Sequence, residues 1–155
     1  MDIEQIKQMT LELGQDWGYA HACRVLKLID IIGTELKCDR EIIEYAVYLH
    51  DWGAFPRYSQ AGVDHALRSR QVAESEILPN TSLSVSDRSV VAEAIELHDY
   101  RDTRPHTTIE SLLLREADWL DMLGVIGFAR ELGVERIARM ENMLQLLQEE
   151  SFGIL

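Results

Sequence analysis

Apolar residues recur three and four positions apart through almost the whole chain, and that period leaves little room for a sheet. The one β-leaning run, Ser82 to Val85, is too short to seed one. The pattern therefore predicts an all-α fold. Helices are expected near residues 2–13, 18–36, 40–51, 64–78, 86–98, 108–121 and 123–131, with a polar terminal one near 134–150. Asp39 is a candidate N-cap for the third, and Ser84 or Ser86 for the fifth, because their side-chain oxygens can accept from unpaired first-turn amides. Pro56, Pro79 and Pro105 all fall in expected connections, where a missing amide donor does no harm. The two longest connections, 52–63 and 99–107, are where substrate contacts tend to sit on a helical scaffold.

With 155 residues the chain has room for one domain, expected over 1–155, and for a core that needs no disulfide or metal staple. A metal, if one binds, would then be functional. Two cysteines, Cys23 and Cys38, form no C-x-x-C pair and suggest a reducing cytoplasm. An acidic start without a basic and apolar leader argues against a signal peptide. No run of 18 apolar residues is present to span a membrane. Fifteen Lys+Arg against 27 Asp+Glu give a net charge of −12, which disfavours nucleic-acid polymers as partners. A small phosphorylated ligand is still admissible, since a metal ion and a few arginines can reverse the potential inside one cleft.

Three histidines share helical faces with apolar residues. His50 follows Ile43, Ala46 and Val47; His98 follows Val91, Ala94 and Ile95; and His21 leads Val25, Leu28 and Ile29. Asp51 ends the third helix, and Asp118 lies one turn after Leu114. One inward histidine is ordinarily a core residue donating to a carbonyl. Several imidazoles and carboxylates in one core, with no lysine or arginine to pair them, would cost several kcal/mol per uncompensated ion. A divalent cation resolves that cost. Nitrogen and oxygen ligands without thiolate suit Mn, Fe, Co, Ni, Zn or Mg, and the residues do not choose among them.

These residues resemble the HD-domain metal-dependent phosphohydrolases, whose pattern is a histidine, a His-Asp pair and a distant aspartate. WGYAHACRV (17–25) looks like the first ligand helix, AVYLHDWG (46–53) like the His-Asp signature, and EADWLDMLGVIGFAR (116–130) like the segment around the last ligand in a small bacterial nucleotide-hydrolase-like subfamily. The resemblance covers about 16–132. It implies a single compact HD-domain helical bundle with His21, His50, Asp51 and Asp118 as metal ligands, and release of phosphate or pyrophosphate from a small nucleotide by a metal-activated water. Arg24, in the matching H-x-x-R-V run, is then a catalytic candidate or a structural ion pair, with Asp51 as a partner. Asp121, matched by an aspartate of the family segment, would accept from a ligand's side chain or carry a proton, or is a solvated helix residue. The second pair, His98-Asp99, looks like the family's additional histidine rather than its signature.

The resemblance implies that His65 and His98 would bind phosphate or act as general acids, or, in a dinuclear site as in cyclic-dinucleotide phosphodiesterases and diiron oxygenases of the family, serve as ligands. A nucleotide-binding regulatory module without turnover is a third alternative. Arg68 could neutralise phosphate. Trp17, Trp52 and Trp119 each stand near an expected ligand, as a base-stacking wall or as core packing. Tyr100, Arg101, Arg104 and His106 in the 99–107 connection suit triphosphate or base contacts, or a solvated turn. The apolar stripe Ile137, Met140, Met143, Leu144 and Leu147 closes the core or offers a homodimer surface.

Overall fold

The computed structural model describes residues 1–15 and 17–123. Helix α1 (Ile3–Leu13) starts at Asp2, whose carboxylate accepts from the Gln5 amide while the Gln5 side chain returns to the Asp2 amide. After a short turn comes α2 (Gly18–Ile32), stopped at Gly33. Helix α3 (Arg40–Leu49) is capped by Asp39, which accepts from the amides of Glu41 and Ile42. A 3-10 turn, Trp52–Ala54, follows. Helix α4 (His65–Val72) runs on through a π turn over Ala73–Ile77 and a 3-10 turn over Leu78–Asn80. Pro79, which lacks an amide donor, sits in that closing turn rather than in an open loop. Helix α5 (Val85–Leu97) begins at Ser84, of the two serines considered, and α6 covers Ile109–Leu123.

The described residues contain helices and no strand, an all-α bundle as the period implied. The helices expected near 123–131 and 134–150, including the apolar stripe proposed as a homodimer surface, lie outside the described residues. None of the described helices is long and apolar enough to cross a membrane.

Residues Met1–Asp121 form one compact unit. Its axis is α3, which buries Ile42, Ile43, Tyr45, Ala46, Val47, Tyr48 and Leu49 and so is enclosed nearly all round rather than on one stripe. Helices α1, α2 and α5 pack on it, while α4 packs on α5 and on the Trp52–Ala54 turn. That turn is a tight joint. A Cβ built on Gly53 would meet the His65 carbonyl oxygen at 2.2 Å and the Ser69 nitrogen at 2.5 Å. The Gly53 amide donates to Ser69 Oγ at 2.7 Å, and Ser69 is fully buried. Phe55 locks the other side, since a Cβ on Gly18 at the start of α2 would lie 2.7 Å from its ring. Trp52 is fully buried, donates from Nε1 to Thr10 Oγ1 at 3.0 Å and stacks on Tyr58. The four residues Trp52 to Phe55 therefore fix α1, α2 and α4 against the end of α3.

Gly53→Ala should force backbone apart rather than bend a side chain. The expected loss is about 1–3 kcal/mol of stability, in the range for overpacking, read as a lower denaturation midpoint in urea. A midpoint equal to that of the parent chain would mean that the joint is looser than described.

Candidate metal centre

Both His50 and His98 are the first residue past a helix, capping α3 and α5. In that position an imidazole can turn back on its own helix. His50 Nδ1 donates to the Val47 carbonyl at 2.7 Å, and His98 Nδ1 donates to the Ile95 carbonyl at 2.6 Å. A carbonyl only accepts, so each Nδ1 carries the proton and each Nε2 of a neutral ring holds a lone pair. His21, in the first turns of α2, reaches the same state by another route. Its Nδ1 donates to Asp121 Oδ2 at 2.8 Å, and Asp121 is held in turn by Arg24, whose Nε and Nη2 donate at 2.7 and 2.9 Å. Arg24 thus pairs with Asp121 and not with Asp51.

The free nitrogens converge. His21 Nε2 lies 3.1 Å from His50 Nε2, 3.0 Å from Asp118 Oδ1 and 3.4 Å from Asp51 Oδ2. His50 Nε2 lies 3.3 Å from the same Asp51 oxygen and 3.9 Å from Asp118 Oδ1. On the other side, Asp51 Oδ1 faces His65 Nε2 at 3.8 Å and His98 Nε2 at 3.9 Å, and those two nitrogens are 3.2 Å apart. His21, His50 and Asp51 offer ligand atoms close enough to hold one ion, and Asp51, His65 and His98 form a second such group. Around Asp51, then, lone pairs and carboxylate oxygens meet with no fixed donor between them. That donor set fits a divalent cation: imidazole nitrogen and carboxylate oxygen, with the rings of His21, His50 and His98 each fixed from behind by a hydrogen bond.

Electrostatics point the same way. Burial opposes charge on His21, but its bonds to Asp118 and Asp121 and the charge of Asp51 raise its pKa to about 9. Burial likewise opposes charge on His50, and Asp51 outweighs it, so the His50 pKa also moves up. The same burial raises the cost of an ionised Asp51, yet His50, His21 and His98 hold its carboxyl well below the usual carboxylate range. His98 goes the other way. Burial and then the neighbouring His50 depress it to about 4, leaving a neutral ring with an available lone pair. Asp121 is held low against burial by His21 and Arg24.

The other candidates separate. Arg68 donates from Nε to the Tyr58 carbonyl at 2.8 Å and to Gln71, which ties it to the 52–63 connection. Trp52 belongs to the core, and Trp17 packs edge-on against Phe55 with ring centres 5.5 Å apart. Trp119 is exposed. A third acidic group, Asp64, His65 and Asp99, already has the Arg101 guanidinium on it, bonded to Asp99 and 3.7 Å from Asp64. Arg104 is committed to Asp102 and Glu96, and His106 to Ser111. Sequence reasoning missed the carbonyls of Val47 and Ile95 and the joint at Gly53 and Phe55. A histidine just past the end of an apolar helix and followed by aspartate, seen at both 50–51 and 98–99, was the available signal for the first pair.

Without an ion, a proton is what holds His21 among its carboxylates. Its raised pKa means that this stabilisation is complete below the unfolded value near 6.5 and is lost as pH rises to about 9. The metal-free chain should therefore melt at progressively lower temperature from pH 6.5 to 9. A divalent ion, which displaces that proton, should stabilise more strongly toward the upper end. Calorimetry with and without chelator reads both effects, and a flat or rising metal-free profile would contradict the assignment.

A model of the HD domain family matches residues 18–123, which include each residue of this centre. No curated protein matches the sequence. Among solved structures, a predicted HD superfamily hydrolase from an uncultured Thermotogales bacterium superposes with a TM-score of 0.67 at 25% identity, covering 95% of this chain and 91% of its own. With the family pattern spanning α2 to α6 and the bundle shared with that hydrolase, the chain belongs to the HD domain family.

Proposed function

We propose that the chain is a divalent-metal-dependent phosphohydrolase acting on a small nucleotide, with His21, His50, Asp51 and Asp118 as metal ligands. The observation that carries this reading is the cage of lone pairs and carboxylate oxygens around Asp51. A divalent ion there supplies a nucleophilic water at neutral pH and polarises a phosphoryl oxygen. The structural neighbour, a predicted HD superfamily hydrolase, and the family membership support the same class of chemistry. A cytoplasmic setting belongs to the reading, in which Cys23 and Cys38 stay thiols.

The chain's own residues divide the remaining work. Asp121 and the Val47 carbonyl hold the His21 and His50 rings with Nε2 facing inward. Arg24 positions Asp121 and acts through it, since its Nε and Nη2 are already engaged there. His65 is the candidate to touch phosphate or give a proton to the leaving oxygen, because its side chain keeps 30% of its exposure while that of His98 keeps 1%. The net charge of −12 selects against long polyanions, which fits a substrate small enough to be neutralised inside the cage.

A second reading has its own observation. Asp51 presents Oδ2 to His21 and His50 and Oδ1 to His65 and His98, so two groups of residues, each including Asp51, could each hold an ion. In that case His65 and His98 are ligands, and metal content per chain decides between one ion and two.

Nucleoside mono-, di- and triphosphates screened with Mn, Fe, Co, Ni, Zn and Mg should reveal one ion-dependent activity, and phosphate and pyrophosphate assays should show which product leaves. No ion-dependent release from any of them would overturn the nucleotide reading. Asp51→Ala should abolish both metal retention and turnover, and a variant that keeps its full metal complement would remove Asp51 from the ligand set. Asp121→Asn should weaken metal binding by about 10- to 100-fold, as loss of a supporting partner does. Arg24→Ala should keep its metal and lose rate; unchanged kinetics would return Arg24 to a structural role.

A further inference from the structure

The three tryptophans part company in the fold. Trp52 has no exposure and Trp17 leans on Phe55, but Trp119 keeps 41% of its surface in water. Tyr100 keeps 42%, and the two rings touch each other with centres 4.8 Å apart and planes tilted by 58°. They come from different elements, Trp119 from α6 and Tyr100 from the loop after α5, so their contact is tertiary. Neither ring is spent on the core. Aromatic rings usually bury most of their surface, so two of them paired and half in water make an unfinished stack.

Their position is the second observation. Trp119 follows Asp118, whose Oδ1 is 3.0 Å from His21 Nε2. Tyr100 lies two residues after His98, whose Nε2 faces Asp51. The spatial link to the cage runs through Asp99, whose Oδ2 lies 3.9 Å from His65 Nδ1 and which holds the Arg101 guanidinium beside the Tyr100 ring. Beside Tyr100 in sequence, Asp99 and Arg101 line a cavity of about 430 Å³ that also reaches Asp64 and Arg104. That volume is within the range of small-ligand sites. The Arg101 guanidinium lies 5.9 Å from the centre of the Tyr100 ring while it pairs with Asp99, so the ledge and the cavity adjoin.

We infer that Tyr100 and Trp119 form a stacking ledge at the mouth of the metal centre that holds the base of a nucleotide, an assignment that rests on the nucleotide reading above. Every base has a π face, so the ledge distinguishes substrates with a base from those without one and is tolerant of which base is present. Stacking on one such side chain typically changes binding by about 5- to 150-fold.

Two arms test this. In the first, kcat/KM is measured for the best nucleotide and for ribose 5-phosphate in the parent chain, Trp119→Leu, Tyr100→Leu and Trp119→Phe. The nucleotide-to-ribose-phosphate ratio should fall by about 5- to 150-fold in the two leucine variants and recover in Trp119→Phe. Both side chains are exposed, so these variants should fold, and circular dichroism checks that they do. In the second arm, adenosine is titrated against tryptophan fluorescence. Saturable quenching is expected, and Trp119→Leu should lose it.

If nucleotides are hydrolysed but the ratio is the same in every variant, the ledge is overturned while the nucleotide reading survives. If no nucleotide is hydrolysed but Trp119-dependent quenching by adenosine persists, the base site stands and the nucleotide reading falls. Absence of both signals removes both. If Trp119→Leu instead converts a dimer to a monomer with the ratio unchanged, the rings belong to a contact between copies of this chain and the ledge is overturned.

Discussion

Asp51 carries a negative charge at the centre of the bundle with imidazole nitrogens on both of its oxygens, and most of the surrounding geometry follows from keeping it there. A buried carboxylate costs several kcal/mol unless it is paired. No arginine or lysine approaches it in the described residues. Without an ion, compensation comes from the protonated His21 and His50, while His65 and His98 turn nitrogens toward its other oxygen; the four come from α2, the end of α3, α4 and the end of α5, and a cation among them would satisfy lone pairs and carboxylate together. Four helices are therefore held to one point by charge as well as by apolar contact. Their convergence is not a by-product of core packing.

The sequence next to Asp51 supplies the mechanics. Helix α3 ends at Leu49, which frees His50 to bond back to Val47 and leaves Asp51 beyond the helical ladder. Trp52, Gly53 and Phe55 then contact α1, α4 and the start of α2 in turn. Gly53 does this by having no side chain at all, since the α4 backbone occupies the space where a Cβ would go. The positions of His65 and His21 relative to Asp51 are thus set within six residues of it. Packing and ligand placement are one arrangement in this stretch, so a substitution aimed at the joint should be felt at the site.

Much of this was legible in the sequence, for a definite reason. Helical period places His21, His50 and His98 on apolar faces, and a face is a local property that three or four neighbours determine. Helix starts at Asp39 and Ser84 are local too. Pairings across the chain were less accessible. Arg24 meets Asp121, 97 residues away, instead of Asp51, because the fold brings the last turn of α6 beside the first turns of α2; nothing local encodes that approach. Likewise, α3 reads as a one-faced helix when it is in fact surrounded. The tryptophans show the limit most clearly: each stands near a ligand in sequence, yet only tertiary packing puts Trp52 in the core and leaves Trp119 at the rim.

Charge adds a further constraint. Arg24, Arg70, Arg101 and Arg104 are each bonded to carboxylates, so the arginines closest to the centre are largely neutralised by their own neighbours. Glu96 alone takes bonds from both Arg70 and Arg104. Against a net charge of −12, a phosphate group approaching the metal-free cage would meet Asp51, Asp118 and Asp121, whose charges already engage the protonated His21, His50 and Arg24 and leave none of that positive charge free for the phosphate. A divalent ion in the cage reverses the sign of the potential at that spot without disturbing any of these pairs. Within the proposed reading, then, the ion supplies affinity for phosphate as well as reactivity, and the arginines are left to shape the cleft. This explains how so acidic a chain can accept an anionic substrate: attraction is confined to the few ångströms around Asp51, while the wider field turns long polyanions away.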